Sequence, residues 1–169
     1  GMVTVRDLAE TPEVSEVIIG DVNIEKAEKV AEWAGKEKIS IRKVDISSVE
    51  SLTSIMKDVD AVANAAPYHL NLTVTKAAIQ AQKNLTDLGG VYYMTLKQLQ
   101  LDAEARNADV TVVLGCGLAP GVADILAKHG ADKLDRVEEV HIWYGDRSFE
   151  PAKYKWSFRT VLEEYTKGP

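Results

Sequence analysis

Residues 17–34 read VIIGDVNIEKAEKVAEWA, and the fold follows from how this stretch changes period. Val17-Ile18-Ile19-Gly20-Asp21 is a short apolar run rich in β-branched residues and closed by an acid, which reads as a buried strand. Asn23 then suits the cap of a helix, because a short side-chain oxygen there accepts from a free first-turn amide. Ile24, Ala27, Val30, Ala31 and Ala34 recur at a 3.6-residue period and define the buried face of that helix. Glu25, Glu28, Lys29 and Glu32 fall on the solvated face.

Outward from this unit the same alternation continues. Ile39 to Ile46 reads as the next strand. Ser47 with Glu50 forms a capping-box pattern before a helix faced by Leu52, Ile55, Met56 and Val59. Residues 60–66 read as a strand that stops at Pro67, which has no amide to give a ladder. Residues 70–82 suit a helix, and Asn84 to Leu88 a strand ending at Gly89-Gly90. Thr95 and Gln98 repeat the capping-box pattern ahead of a helix to about Asn107. Val110 to Leu114 is the clearest strand, and a helix from Gly121 to Gly130 follows the glycines at 115 and 117. Val137 to Tyr144 alternates, which predicts a strand with one wet face. Buried strands separated by helices imply an α/β, doubly wound parallel sheet. Past residue 146 the composition turns aromatic and charged. The expected division is therefore 1–146 for the main domain and 147–169 for the start of a second, α+β domain.

The chain has 169 residues, 46% hydrophobic and 27% charged, enough for one ordinary core. A net charge of −6 leaves no basic stripe, so nucleic acid is excluded as an expected partner. Its apolar runs are too short for a membrane span, and the front lacks the pattern of a signal peptide. Cys116 is the single cysteine, so no internal disulfide can form and a cytoplasmic location is expected. The histidines and this cysteine show no metal-ligand spacing, and no metal is expected. His129 and His141 read as structural.

A dinucleotide-binding sheet opens with strand, glycine-rich turn and helix, then a second strand ending in an acid. Residues 2–10 suit that first helix, Gly1 falls at the last fingerprint glycine, and Asp21 stands where the acid belongs. The reading is thus a Rossmann-like sheet lacking its first strand and phosphate loop. Without that strand, 17–21 and 60–66 must either pair directly or take a strand from a second chain. Exposed parallel edges favour the latter, so a homodimer is expected.

Three stretches resemble the saccharopine dehydrogenase-like family: VRDLAE with EVSEVIIGDVNIEKAE, then NAAPYHLNLTVTKAAIQAQKNLTDLGG, then GCGLAPGVADILA. The lysine-dehydrogenating members are the nearest in pattern. The resemblance implies an NAD(P)-dependent oxidoreductase acting on the amine-bearing carbon of lysine or a similar amino acid. The alternatives are a saccharopine-type reductive condensation and a truncated, non-catalytic dimerising domain. Saccharopine-forming members carry Asp within Gly-Leu-Asp-Pro-Gly; Ala119 stands here, which favours a smaller amine substrate.

The candidate site residues lie at strand ends. Asp21 is placed to accept from the ribose hydroxyls, and its charge, which repels a 2′-phosphate, points to NAD over NADP. The alternative is a turn acid. Asp45 and Ile46 stand where an adenine is flanked, or before an ordinary cap. Asn64, Ala65, Ala66 and Pro67 keep the next strand end small enough for a cofactor ring. The resemblance implies contacts from Ala66, Pro67 and Tyr68, with Tyr68 orienting the amine; His69 reads as a helix-start residue. The resemblance also implies that substrate and nicotinamide meet at Asp87, Leu88 and Gly89, where Asp87 pairs with a substrate ammonium or else caps a turn. Gly117, Pro120 and Gly121 precede a helix whose free amides suit a carboxylate. Cys116, between Gly115 and Gly117, reads as a small buried hydrophobe.

Overall fold

The computed structural model describes residues 1–143. Met2–Glu10 forms α1, followed by β1 (Val17–Asp21), α2 (Ile24–Ala34), β2 (Ile39–Lys43), α3 (Val49–Met56) and β3 (Ala61–Asn64). Then come α4 (Asn71–Ala81), β4 (Asn84–Asp87), α5 (Tyr92–Leu99), α6 (Asp102–Asn107), β5 (Val112–Val113) and α7 (Val122–Ala131). All strand pairs are parallel, as the alternation with helices predicts.

The strands fall into two sheets, β1-β2 and β3-β4-β5. Among the described residues, β1 and β3 share no ladder, so the direct pairing allowed above does not occur. One core nonetheless spans both sheets. Val44 past β2 and Leu52 and Met56 of α3 pack with Val74, Ala77, Ala78 and Ala81 of α4 and Leu85 of β4. A second cluster joins Ile79 to Leu101, Ala105 and Val110 beneath α6.

Local chemistry explains most of the boundaries. Asn23 caps α2 by accepting from Lys26 N at 2.9 Å, and Ala27, Ala31 and Ala34 are buried as the period requires. The cap of α3 is Ser48, not Ser47, and accepts from Ser51 N. Ser47 is drawn away because its hydroxyl donates to Asp45 Oδ1 at 2.6 Å. Thr95 caps nothing: α5 already begins at Tyr92, and a second helix, α6, replaces the single long one expected. The strand expected over 110–114 shortens to Val112–Val113. Residues 137–143 form no strand: among the described residues none lies alongside as a strand partner, and Val137, Val140, Ile142 and Trp143 stay exposed. Tyr144, the expected boundary at 146 and the tail from 147 lie outside the described residues. No helix among the described residues is long and apolar enough to cross a membrane.

Candidate functional site

Parallel strands bring their carboxyl ends to one edge of each sheet, where ligands of such folds bind. The second sheet ends at Asn64, Asp87 and Val113, and the loops that follow interlock through glycines. A Cβ on Gly90 would lie 2.2 Å from Tyr68 Cβ, and one on Gly117 would lie 2.5 Å from the Leu88 carbonyl. One on Gly121, at φ +124, would lie 2.2 Å from the Gly117 carbonyl. These close approaches bring Tyr68, Leu88 and residues 115–121 to one place. Leu88 stays 45% exposed, and the ring of His69 meets that of Tyr68 edge-on at 5.8 Å. The Ala119–Pro120 peptide is cis.

Beneath these loops lies a buried polar network. Asp87 is 1% exposed. Its Oδ1 accepts from Gly89 N at 2.8 Å and Gly115 N at 2.9 Å, and its Oδ2 accepts from Gln98 Nε2 at 2.7 Å. The Cys116 amide donates to the Asp87 carbonyl at 2.7 Å. Gln98 Nε2 also donates to Thr75 Oγ1 at 2.9 Å, and that hydroxyl donates to the Asn71 carbonyl at 2.9 Å. Asn71 Nδ2 donates to the Gly89 carbonyl at 3.1 Å, and Asn71 Oδ1 accepts from Asn64 Nδ2 at 3.0 Å. Asn64 Oδ1 accepts from the Ala66 amide at 3.0 Å, which fixes the turn into Pro67.

The carboxylate of Asp87 therefore faces loop amides and Gln98, not the open edge where a substrate ammonium would arrive. The amides expected to be free ahead of α7 are also engaged. Gly121 N donates to Asp124 Oδ2 at 2.7 Å, Val122 N to the Gly117 carbonyl at 2.9 Å, and Ala123 N to the Leu118 carbonyl at 3.0 Å. Gly117, Pro120 and Gly121 thus shape the loop, and the amides of Gly121, Val122 and Ala123 are taken up within it. Cys116 is exposed, not a buried hydrophobe.

On the first sheet the arrangement is more open. Gly1 stands at the head of α1, and among the described residues no side chain caps its first-turn amides. A Cβ on Gly1 would lie 3.4 Å from that of Ala65, so the helix head reaches the end of β3. Ala65 and Pro67 are exposed and Ala66 is half-buried. Asp21 Oδ1 accepts from Asn23 N at 2.8 Å, closing a turn, and Lys43 stands in register with Asp21 on the neighbouring strand. Asp45 is exposed; the Ser47 hydroxyl, and then the Ser47 amide, hold its carboxyl below the usual range. Ile46 packs against the core beneath it.

Asn71, Thr75 and Gln98 escaped the reading of the sequence. Their signal is a polar residue repeated on an apolar helix face: Asn71 and Thr75 among Val74, Ala77 and Ala78, and Gln98 four residues after Met94.

The family of the saccharopine dehydrogenase NADP binding domain matches residues 1–113. Carboxynorspermidine synthase of Vibrio alginolyticus is 27% identical over 158 residues, covering 76% of this chain and 38% of that protein. Saccharopine dehydrogenase (NADP(+), L-glutamate-forming) of Pyricularia oryzae is 28% identical over 156 residues, covering 82% of this chain and 32% of that protein. The chain thus spans roughly a third of the length of these curated relatives. The apo saccharopine dehydrogenase (L-Glu forming) of Saccharomyces cerevisiae superposes with a TM-score of 0.64 at 24% identity, over 79% of this chain and 29% of that one. At that identity the likeness is one of fold, and it bears out the Rossmann-like reading. The preference for NAD over NADP drawn from Asp21 is corrected by the family match, since the matched domain is an NADP-binding one. A strand-end acid is a poor guide here because Asp21 already serves its own turn and has a lysine in register beside it. By its match over residues 1–113, the chain belongs to the saccharopine dehydrogenase family, through that family's NADP-binding domain.

Proposed function

We propose that this chain forms the cofactor side of an NADP-dependent oxidoreductase that acts at the amine-bearing carbon of an amino acid. The observation that carries the reading is the approach of the uncapped α1 head, at Gly1, to the small residues that end β3. A helix head with open amides beside alanines fits a pyrophosphate, since the side-chain atom nearest a Cβ on Gly1 is the Ala65 methyl. Lys43, beside Asp21, is the cation placed to meet a 2′-phosphate. Asp45 flanks the adenine side, with Ile46 supporting it from the core. Asn64 holds Ala66, and with Ala65 and Pro67 keeps the β3 end low for a flat ring.

Bound NADP supplies the hydride-accepting ring. The chain's own part is to present the carbon and keep water out. Tyr68, held by Gly90, stands at the open edge to orient the substrate amine, with Leu88 as an apolar wall beside Gly117. Asp87 acts from below, holding Gly89 and Gly115, rather than by touching substrate. Among the described residues the second edges of β1 and β3 carry no strand, which supports self-association as part of the same proposal.

The names of the relatives favour a second direction for the same chemistry. One relative is named a synthase and another a glutamate-forming dehydrogenase, which fits the same chemistry run either way, hydride addition to an imine or its removal from an amine-bearing carbon. NADP reduction with lysine or a similar amino acid tests the oxidative direction, and NADPH consumption with an amine plus a keto acid or aldehyde tests the other. NADPH binding with turnover in neither direction would leave a binding domain and overturn the enzymatic reading.

A further inference from the structure

Buried carboxylates are ordinarily matched by a cation, because taking an unpaired charge out of water is costly. Among the described residues no lysine, arginine or histidine pairs with Asp87. Neutral donors hold it instead, and one of them, Gln98, is itself 4% exposed. Gln98 turns both hydrogens of its amide inward, one to Asp87 Oδ2 and one to Thr75 Oγ1. The bonds close on themselves: Gln98 donates to Thr75, Thr75 to the Asn71 carbonyl, Asn71 to the Gly89 carbonyl and Gly89 N to Asp87, and Gln98 closes the ring by donating to Asp87 as well. Each member thus keeps the next from rotating, as expected of a fully satisfied polar network. Thr75 and Asn71 belong to α4 and Gln98 to α5, while Asp87 ends β4 and Gly115 follows β5. The ring therefore ties two helices to the two loops that open onto the site.

We propose that Gln98 is a positioning residue: acting through Asp87, it fixes Gly89 and Gly115 so that the substrate side of the site is formed before any ligand arrives. The proposal deepens the functional reading above and rests on it for the word substrate, but the order it ascribes to the loops is measurable without ligand. A pre-set site loses less conformational entropy on binding, which is the benefit of holding these loops from below. Gln98 suits the task because its amide can donate twice from a planar head. Methionine would fill the same space with no donor. Glutamate would place one carboxylate against another, and the contact could then hold only with a proton shared between them.

The test is amide hydrogen exchange by NMR on the ¹⁵N-labelled chain, at Gly89, Gly115 and Cys116, with the amides of β1 and β2 as the internal control. In Gln98→Met the three loop amides should exchange about ten- to a hundredfold faster while the control strands keep their rates. In Gln98→Glu the loops should loosen at about pH 8 and regain most of their protection at about pH 5, where the shared proton is available. A merely space-filling Gln98 would accept glutamate at every pH. Unchanged exchange at the three amides in Gln98→Met would overturn the proposal, as would equal acceleration throughout the chain. If the methionine variant does not fold, the pH series of Gln98→Glu decides: flat protection between the two pH values contradicts the proposal. Adding NADPH to the wild-type chain separates the two readings. No response at Ala66 sinks the cofactor assignment and leaves the exchange result standing.

Discussion

Gly90 and Tyr68 lie so close that a methyl group on Gly90 would sit 2.2 Å from Tyr68 Cβ and 2.9 Å from its Cγ. The loop after β4 therefore sets the position of Tyr68 at the open edge. Gly90→Ala should force Tyr68 out of place at a cost of about 1–3 kcal/mol, the usual range for overpacking. Chemical denaturation measures that loss, and the Tyr68 resonances should move far more than those of β1. Wild-type stability with unmoved Tyr68 resonances would show that the two loops do not touch in solution.

Asn71, 2% exposed, bridges Asn64 and the Gly89 carbonyl. Asn71→Ala removes both bonds and strands a buried donor and a buried acceptor, each worth about 1–3 kcal/mol when left unpaired. The urea midpoint should fall accordingly with the slope of the transition unchanged. A loss below about 0.5 kcal/mol, the level of an ordinary surface substitution, would mean that water replaces the asparagine without difficulty.

Much of the architecture could be read from local pattern. The β-branched runs at Val17–Ile19 and around Val112, the Asn23 cap and the alanine period of α2 are each decided within a few residues, and each appears in the structure. Elements whose state depends on distant neighbours were misread. Thr95 with Gln98 has the form of a capping box, but Gln98 is taken by Asp87, eleven residues earlier in the chain, and the helix starts at Tyr92. The alternation of 137–143 requires a neighbouring strand to become a ladder, and the described residues provide none. At the site, position was legible and role was not. A strand-end acid looks the same in sequence whether it faces a ligand or caps a turn, the two readings left open for Asp87, which contacts the amides of Gly89 and Gly115. Asp21 misled for the same reason.

Asp45 carries a pH signature at the proposed cofactor edge. The Ser47 hydroxyl, and behind it the Ser47 amide, hold its carboxyl below the ordinary carboxylate range. A folded-state value below the unfolded one stabilises the fold at pH above the unfolded value, and that contribution disappears as pH falls through the folded value. Ser47→Ala removes the larger cause, so the Asp45 carboxyl should titrate closer to its ordinary value, and less of the acid-side loss of stability should remain. Carboxyl ¹³C shifts followed with pH check this directly. An Asp45 titration that does not move would show that the hydroxyl contact is not kept in solution.

The most direct test of the central claim, that the α1 head and the strand ends beside it receive NADP, is an NMR titration of the whole chain with NADPH and, separately, NADH. The account predicts shifts concentrated at Met2 to Thr4, Asp21 to Asn23, Lys43, and Ala65, Ala66 and Tyr68, saturating at lower NADPH than NADH. Shifts confined to α5, α6 and β5, no shifts at all, or equal responses to the two nucleotides would contradict it.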